Sequence, residues 1–128
     1  MKALTVKQPW AAAIINDGKD IENRSRKTNY RGLLYIHAGK AWESSAVDAI
    51  CKLTGKAYMA ADQGMVIGTV ELIDCHHADD CTFETGSKRC SEWAMPDHYH
   101  WVLANPGPLE IPFAATGKLG IWNLKGDS

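Results

Sequence analysis

The chain lacks any apolar run long enough to span a bilayer: the longest, residues 10–15, falls far short of the roughly 20 residues a membrane helix needs. It also lacks an opening charged head, apolar stretch and small-residue cleavage site, so a cytoplasmic protein with no membrane partner is expected. Cysteine is scarce, and without a secretory leader Cys51, Cys75, Cys81 and Cys90 are expected to be reduced thiols. Gly-x-Ser-x-Gly, a phosphate-binding loop, a Gly-x-Gly-x-x-Gly fingerprint and His-Glu-x-x-His are all missing. Acyl hydrolase, nucleoside triphosphatase, oxidoreductase and zinc protease readings therefore have no support. Internal repeats and low-complexity segments are absent too.

With 128 residues, 45% of them hydrophobic and 23% charged, the composition is that of one ordinary globular domain over residues 1–128, large enough for a real core. The formal net charge of -1 conceals an asymmetry. Residues 1–40 hold eight Lys or Arg against three acids, whereas the rest holds six against twelve. Such a basic half attracts phosphate locally while the neutral total disfavours nonspecific coating of nucleic acid, although charge runs are also common as solvated faces.

Hydrophobic periodicity sketches the elements. Leu4 and Val6 alternate with polar neighbours and read as a short strand meeting Gln8-Pro9-Trp10. Pro9 suits a first helical turn, and an Ala- and Ile-rich helix follows over residues 10–16 until Gly18. Residues 19–31 are a charged stretch; Leu33 to Ile36 read as a buried strand ending at His37 and Gly39. Trp42, Ala46, Ala49, Ile50 and Leu53 recur at helical spacing, with Gly55 placed to end the helix. Residues 65–73 are the strongest strand, with Gly68 marking a bulge or a close backbone approach. Residues 75–97 read as a long irregular loop, with one helical turn near 91–94 and mobility expected over 79–92. Strands are expected again over 99–104, 109–113 and 119–124, with Asn105-Pro106-Gly107-Pro108 as a turn. The expected class is α+β, a small mostly antiparallel β-barrel with two or three flanking helices.

Lys19, Glu22 and Arg24 pose a geometric question. On an extended strand Glu22 and Arg24 share a face and Lys19 points away, so a compact site needs a turn just after Gly18. Once gathered, Lys19 could neutralise phosphate or transfer protons, Glu22 accept from a base or orient Lys19, and Arg24 clamp an anion. A surface ion-pair cluster is the alternative, but exposed pairs contribute only about 0 to 1 kcal/mol. Gln8 and Trp10 could offer an amide and a stacking plane, although an aromatic opening such a helix more often packs in the core. Arg26, Tyr30 and Arg31 lie in the basic segment as further candidate contacts or as a solvated loop. His37, closing an apolar strand, is more often a satisfied core histidine than a catalyst. Strand alternation puts Glu71 and Asp74 on opposite faces, against a glycosidase-like carboxylate pair. The soft ligands Cys75, His76, His77, Cys81, Cys90, His98 and His100 lack Cys-x2-Cys or His-x3-His spacing, so no metal and no other cofactor is expected.

Taken together, Gln8-Pro9-Trp10, the run from Gly18 to Arg24, Tyr30-Arg31-Gly32, Ile36-His37-Ala38, residues 68–75 and the closing residues 117–124 resemble the ASCH domain, with its signature Gly-x-Lys-x-x-Glu-x-Arg. The resemblance covers nearly the whole chain. It implies a PUA-like β-barrel that binds or processes RNA, another single-stranded nucleic acid or a modified nucleoside. Among relatives of this type, amidohydrolases acting on N4-acetylcytidine place Thr where this chain has Glu22, and ribonucleases use Lys and Tyr, which brings in Lys19 and Tyr30. The resemblance thus leaves two functions open, a binding module with Gln8, Trp10, Gly18, Arg24, Arg26, Arg31, His37 and Glu71 around the ligand, or a small hydrolase centred on Lys19, Glu22 and Tyr30. A third reading is an interaction domain whose basic half contacts proteins that the residues do not specify.

Overall fold

A computed structural model describes residues 1–81 and 90–124. In chain order the elements are β1 (Lys2–Gln8), α1 (Trp10–Asn16), β2 (Ile21–Arg24), β3 (Gly32–Trp42), α2 (Ser44–Thr54), β4 (Met65–His77), a 3-10 turn (Ala78–Asp80), β5 (Tyr99–Ala114) and β6 (Ile121–Asn123). The strands form one six-stranded sheet in the order β2-β5-β4-β3-β1-β6. The β1/β3 pair is parallel and the other pairs are antiparallel. This is the expected α+β, mostly antiparallel, barrel-like arrangement, left open because among the described residues no ladder joins β2 to β6.

α1 is short and apolar all round because both its sides are covered. Ile14 and Ile15 pack on the sheet with Leu4, Leu34, Ile36 and Val70, while Ala12 and Ala13 face Ala46 and Ile50 of α2. Each fully buried Ile contributes roughly 1.5–3 kcal/mol relative to exposure, enough to hold a helix too short to persist alone. α2 ends as expected at Gly55, whose φ of 78° closes the helix as its N–H donates to the Cys51 carbonyl at 2.8 Å. Gly68 is where backbones meet: an added Cβ would lie 2.7 Å from the Gly107 carbonyl oxygen and 2.7 Å from Ile15 Cδ1. Gly68→Ala is therefore expected to cost about 1–3 kcal/mol by overpacking, read as a lower denaturation midpoint at unchanged m-value.

Four expectations need correction. β3 runs past His37 and Gly39 to Trp42, which therefore ends a strand instead of opening α2. The charged stretch contains a strand, β2, paired with β5 from Ile21↔Val102 to Arg24↔Tyr99. Asn105-Pro106-Gly107-Pro108 is no hairpin turn: β5 runs on through it along β4, and register shifts between Val66 and Gly68, Thr69 and Glu71, and Leu72 and Asp74 absorb the irregularity. β4 reaches His77, so the irregular connection starts later than expected; its turn near 91–94 is present, with Ala94 N–H donating to Ser91 O at 3.1 Å. Of the stretch expected to be mobile, residues 82–89 lie outside the described residues.

Candidate functional site

Gly18, at φ 80°, turns the chain sharply after α1, and Lys19 N–H donates back to the Ala13 carbonyl at 3.2 Å. The lysine is thereby folded over the start of β2. Its Nζ donates to the Ile21 carbonyl oxygen and lies 3.3 Å from Glu22 Oε1. On the other side of the same carboxylate, Arg24 Nε and Nη2 reach Glu22 Oε2 at 3.0 and 2.9 Å, and Nη2 also donates to the Thr5 carbonyl at 2.8 Å. Glu22 thus sits between two cations. Gly18 directly precedes Lys19, so the chain reads Gly-Lys-x-x-Glu-x-Arg, without the residue that separates Gly from Lys in the signature.

This group is not a surface ion pair: Lys19 is 3% exposed and Glu22 7%. Burial pushes the Lys19 ammonium below its ordinary range, because desolvation of the charge outweighs the raising effect of Glu22. The ammonium also lies 5.2 Å from the ring centroid of Trp10, within cation–π range.

Above the group opens a cleft of about 620 Å³ between β1, β2, the end of β3 and residues 118–120. Lys7, Lys19, Arg24, Lys40 and Lys118 line it, against two carboxylates, Glu22 and Glu43. Trp10 forms part of the wall, oriented by a 2.7 Å hydrogen bond from Nε1 to Glu43 Oε2 and an edge-on contact with Trp93. Met95 and His98 close another side. Asn23 pins that side to β2, accepting from Met95 N and donating to Trp93 O, both at 2.9 Å.

Several predicted residues fall elsewhere. Gln8 is buried and its amide is spent on the fold, donating to Asp62 O at 2.6 Å and accepting from Ala12 N at 2.9 Å. His37 is the satisfied core histidine, bonded to Thr5 Oγ1 at 3.1 Å and Ala115 O at 2.7 Å. Tyr30 packs against the core and its hydroxyl donates to Leu33 O at 2.5 Å, outside the cleft lining. Arg31 folds back onto Thr28 O and Tyr30 O at 3.0 and 2.8 Å, and Arg26 is exposed outside the cleft. Glu71 is an exposed residue of β4. Gly18 acts through the turn it permits and does not line the cleft. Sequence reasoning missed Lys7, Lys40, Glu43 and Lys118. Isolated surface charges carry no pattern: the parallel pairing of β1 with β3 brings Lys7, Lys40 and the adjoining Glu43 to one opening, and Lys118 arrives on the segment that leads into β6, the other neighbour of β1.

The ASCH domain family model matches residues 4–113. Activating signal cointegrator 1 of Homo sapiens is 27% identical over 129 residues, and the same-named protein of Mus musculus 30%. Each alignment takes in 94% of this chain and 22% of the relative, so the chain spans about a fifth of the length of these proteins.

Proposed function

Since the chain belongs to the ASCH domain family, a PUA-like family associated with RNA binding, we propose that it binds RNA, another single-stranded nucleic acid or a modified nucleoside in the cleft floored by Lys19, Glu22 and Arg24. The observation that carries this reading is the buried Lys19–Glu22 pair, flanked by the half-buried Arg24, beneath a cationic opening. Burying an ion pair costs desolvation that its attraction barely offsets, so stability is a weak reason to keep one there. With one carboxylate between two cations, the floor retains positive charge for a phosphate or a polar base edge. Of the three ammonium donors of Lys19, two are used by Ile21 and Glu22, which leaves one for a ligand. Lys7, Lys40 and Lys118 supply backbone contacts, and Trp10 supplies a plane on which a splayed base stacks.

The lowered Lys19 pKa favours a second reading, a small hydrolase in which Lys19 and Glu22 activate a water. Tyr30 lends it no support from outside the cleft, and Glu22 offers no hydroxyl nucleophile. A panel of RNA, single-stranded DNA, duplex DNA and acylated nucleosides, assayed for binding and turnover with wild type, Lys19→Ala and Lys19→Arg, separates the two. Lys19→Ala is expected to weaken single-stranded RNA binding about 10-fold or more, the worth of a charged hydrogen bond, while Lys19→Arg keeps much of the affinity. Turnover in wild type that vanishes in Lys19→Arg would transfer the assignment to the hydrolase. Unchanged affinity in Lys19→Ala, or a preference for duplex DNA, would end the recognition reading.

A further inference from the structure

Away from the cleft floor, the fold gathers four metal-ligating side chains where β4 hands over to β5. Antiparallel pairing sets His76 opposite His100, their rings edge to face with centroids 5.3 Å apart. The 3-10 turn brings Cys81 back, so that its Sγ lies 3.2 Å from His76 Nε2 and 3.2 Å from His100 Nδ1. Cys90 Sγ lies 3.3 Å from that same His100 nitrogen. All four ligand atoms fall within 4.8 Å of one another. The expectation of no metal rested on spacing along the chain, but here the ligands meet across a strand ladder.

Two features go beyond thiol–imidazole hydrogen bonding. The first is that both sulfurs converge on His100 Nδ1, which can serve only one of them as an in-plane donor or acceptor. The second is that each histidine has its other nitrogen on an acceptor: His76 Nδ1 on Asp74 Oδ2 at 2.9 Å, and His100 Nε2 on Met95 O at 2.6 Å. Those partners hold the protons and leave His76 Nε2 and His100 Nδ1 as lone pairs facing the sulfurs. This is the outer arrangement that orients metal-bound imidazoles. Zn–N bonds of about 2.0–2.1 Å and Zn–S bonds of about 2.3 Å place neighbouring ligand atoms roughly 3.3–3.8 Å apart in a tetrahedron; the three nitrogen–sulfur contacts of 3.2, 3.2 and 3.3 Å lie at the short end of that range, and the remaining separations stay within 4.8 Å.

We propose that His76, Cys81, Cys90 and His100 form a structural Zn2+ site. A two-nitrogen, two-sulfur tetrahedron selects zinc over harder cations, and four protein ligands leave no position for a substrate. On binding, Cys81 and Cys90 each release a thiol proton to solvent and the two thiolates balance the charge of the ion. The site ties Cys81 and Cys90 to His76 of β4 and His100 of β5. Through the Met95 carbonyl, and the bond from Met95 N to Asn23, it also steadies one wall of the cleft.

The test uses the full chain isolated under reducing conditions. One equivalent of Zn2+ per chain surviving dialysis is expected. Co2+ in its place should give the intense ligand-field bands of four-coordination together with sulfur-to-cobalt charge transfer. Cys81→Ser and Cys90→Ser should lose charge-transfer intensity, whereas Cys51→Ser and Cys75→Ser should keep it. Asp74→Asn should weaken zinc about 10- to 100-fold in competition with a chelator. A folded wild type that holds no zinc and gives a six-coordinate cobalt spectrum overturns the proposal. Should a cysteine variant fail to fold, the wild-type cobalt spectrum decides.

Discussion

Glu22→Gln is expected to destabilise the protein by about 3–5 kcal/mol, the cost of leaving a buried charge without its partner. The substitution keeps the shape of the side chain and removes the one carboxylate in direct contact with Lys19 Nζ among the described residues, which leaves the buried ammonium with the repulsion of Arg24 and only the weaker attraction of Asp20. Lys19→Met should cost less, because Glu22 keeps both bonds from Arg24 and the Met side chain replaces the aliphatic stem. Adding Lys19→Met to Glu22→Gln should recover much of the loss, since no buried cation remains to be neutralised. A double-mutant cycle in urea measures this coupling. The pH dependence provides an independent reading. Lys19 is pushed below its unfolded value of 10.5, so between its folded pKa and 10.5 the unfolded chain binds more protons than the native one, and stability rises with pH across that window. Glu22→Gln removes the neighbour that holds the Lys19 pKa up, which widens the window. Its deficit relative to the double variant should shrink as pH rises towards 10.5. Additive single-variant losses with a flat pH profile would show that Lys19 and Glu22 are not energetically linked.

What the sequence made legible follows from where one rule acts alone. α1 and α2 were readable because apolar spacing, Pro9 before one helix and Gly55 after the other all point the same way. β2 was hidden because Glu22 and Arg24 face a charged cleft, so a strand that by position belongs to the sheet carries the composition of a loop. β5 was split because Pro106 and Pro108 lack a ladder donor. The chain tolerates them where the register shifts and Gly107 lies against Gly68. Lys19, Glu22 and Arg24 come together in space as the turn at Gly18 leads one to expect. Tyr30 and Arg31 lie outside the cleft lining because nearness in sequence is not nearness in space: the chain between β2 and β3 carries them away from the opening. The four ligands around His100 were each visible as residues. Their convergence was not, because it depends on which residues of β4 and β5 stand opposite one another, and three bulges set that register.

Single-stranded RNA affinity is expected to fall about 50-fold between about 50 and 200 mM salt if four of the cleft cations meet phosphates, since each contact contributes a slope of roughly -0.7 on a logarithmic scale. Lys7, Lys40 and Lys118 are exposed and the Arg24 side chain is 28% exposed, so these four are placed to meet phosphates, whereas Lys19, 3% exposed, has its one remaining donor for a base edge. Replacing Lys7, Lys40 or Lys118 by Ala should each reduce the slope by about 0.7 and weaken binding evenly across base sequences, because a phosphate contact carries no sequence information. Arg26→Ala and Arg31→Ala should leave the slope as it is, because both guanidinium groups lie outside the cleft and that of Arg31 is held by its own loop carbonyls. Trp10→Phe, by contrast, should keep the salt slope, since it removes no cation, and lower affinity through the smaller stacking plane and the loss of the bond that orients Glu43. Fluorescence anisotropy titrations at four salt concentrations read all of these. A slope that responds to Arg26 and Arg31 as strongly as to the cleft lysines would move the nucleic-acid path off the cleft and onto the basic loop, and with it the role assigned to Lys19.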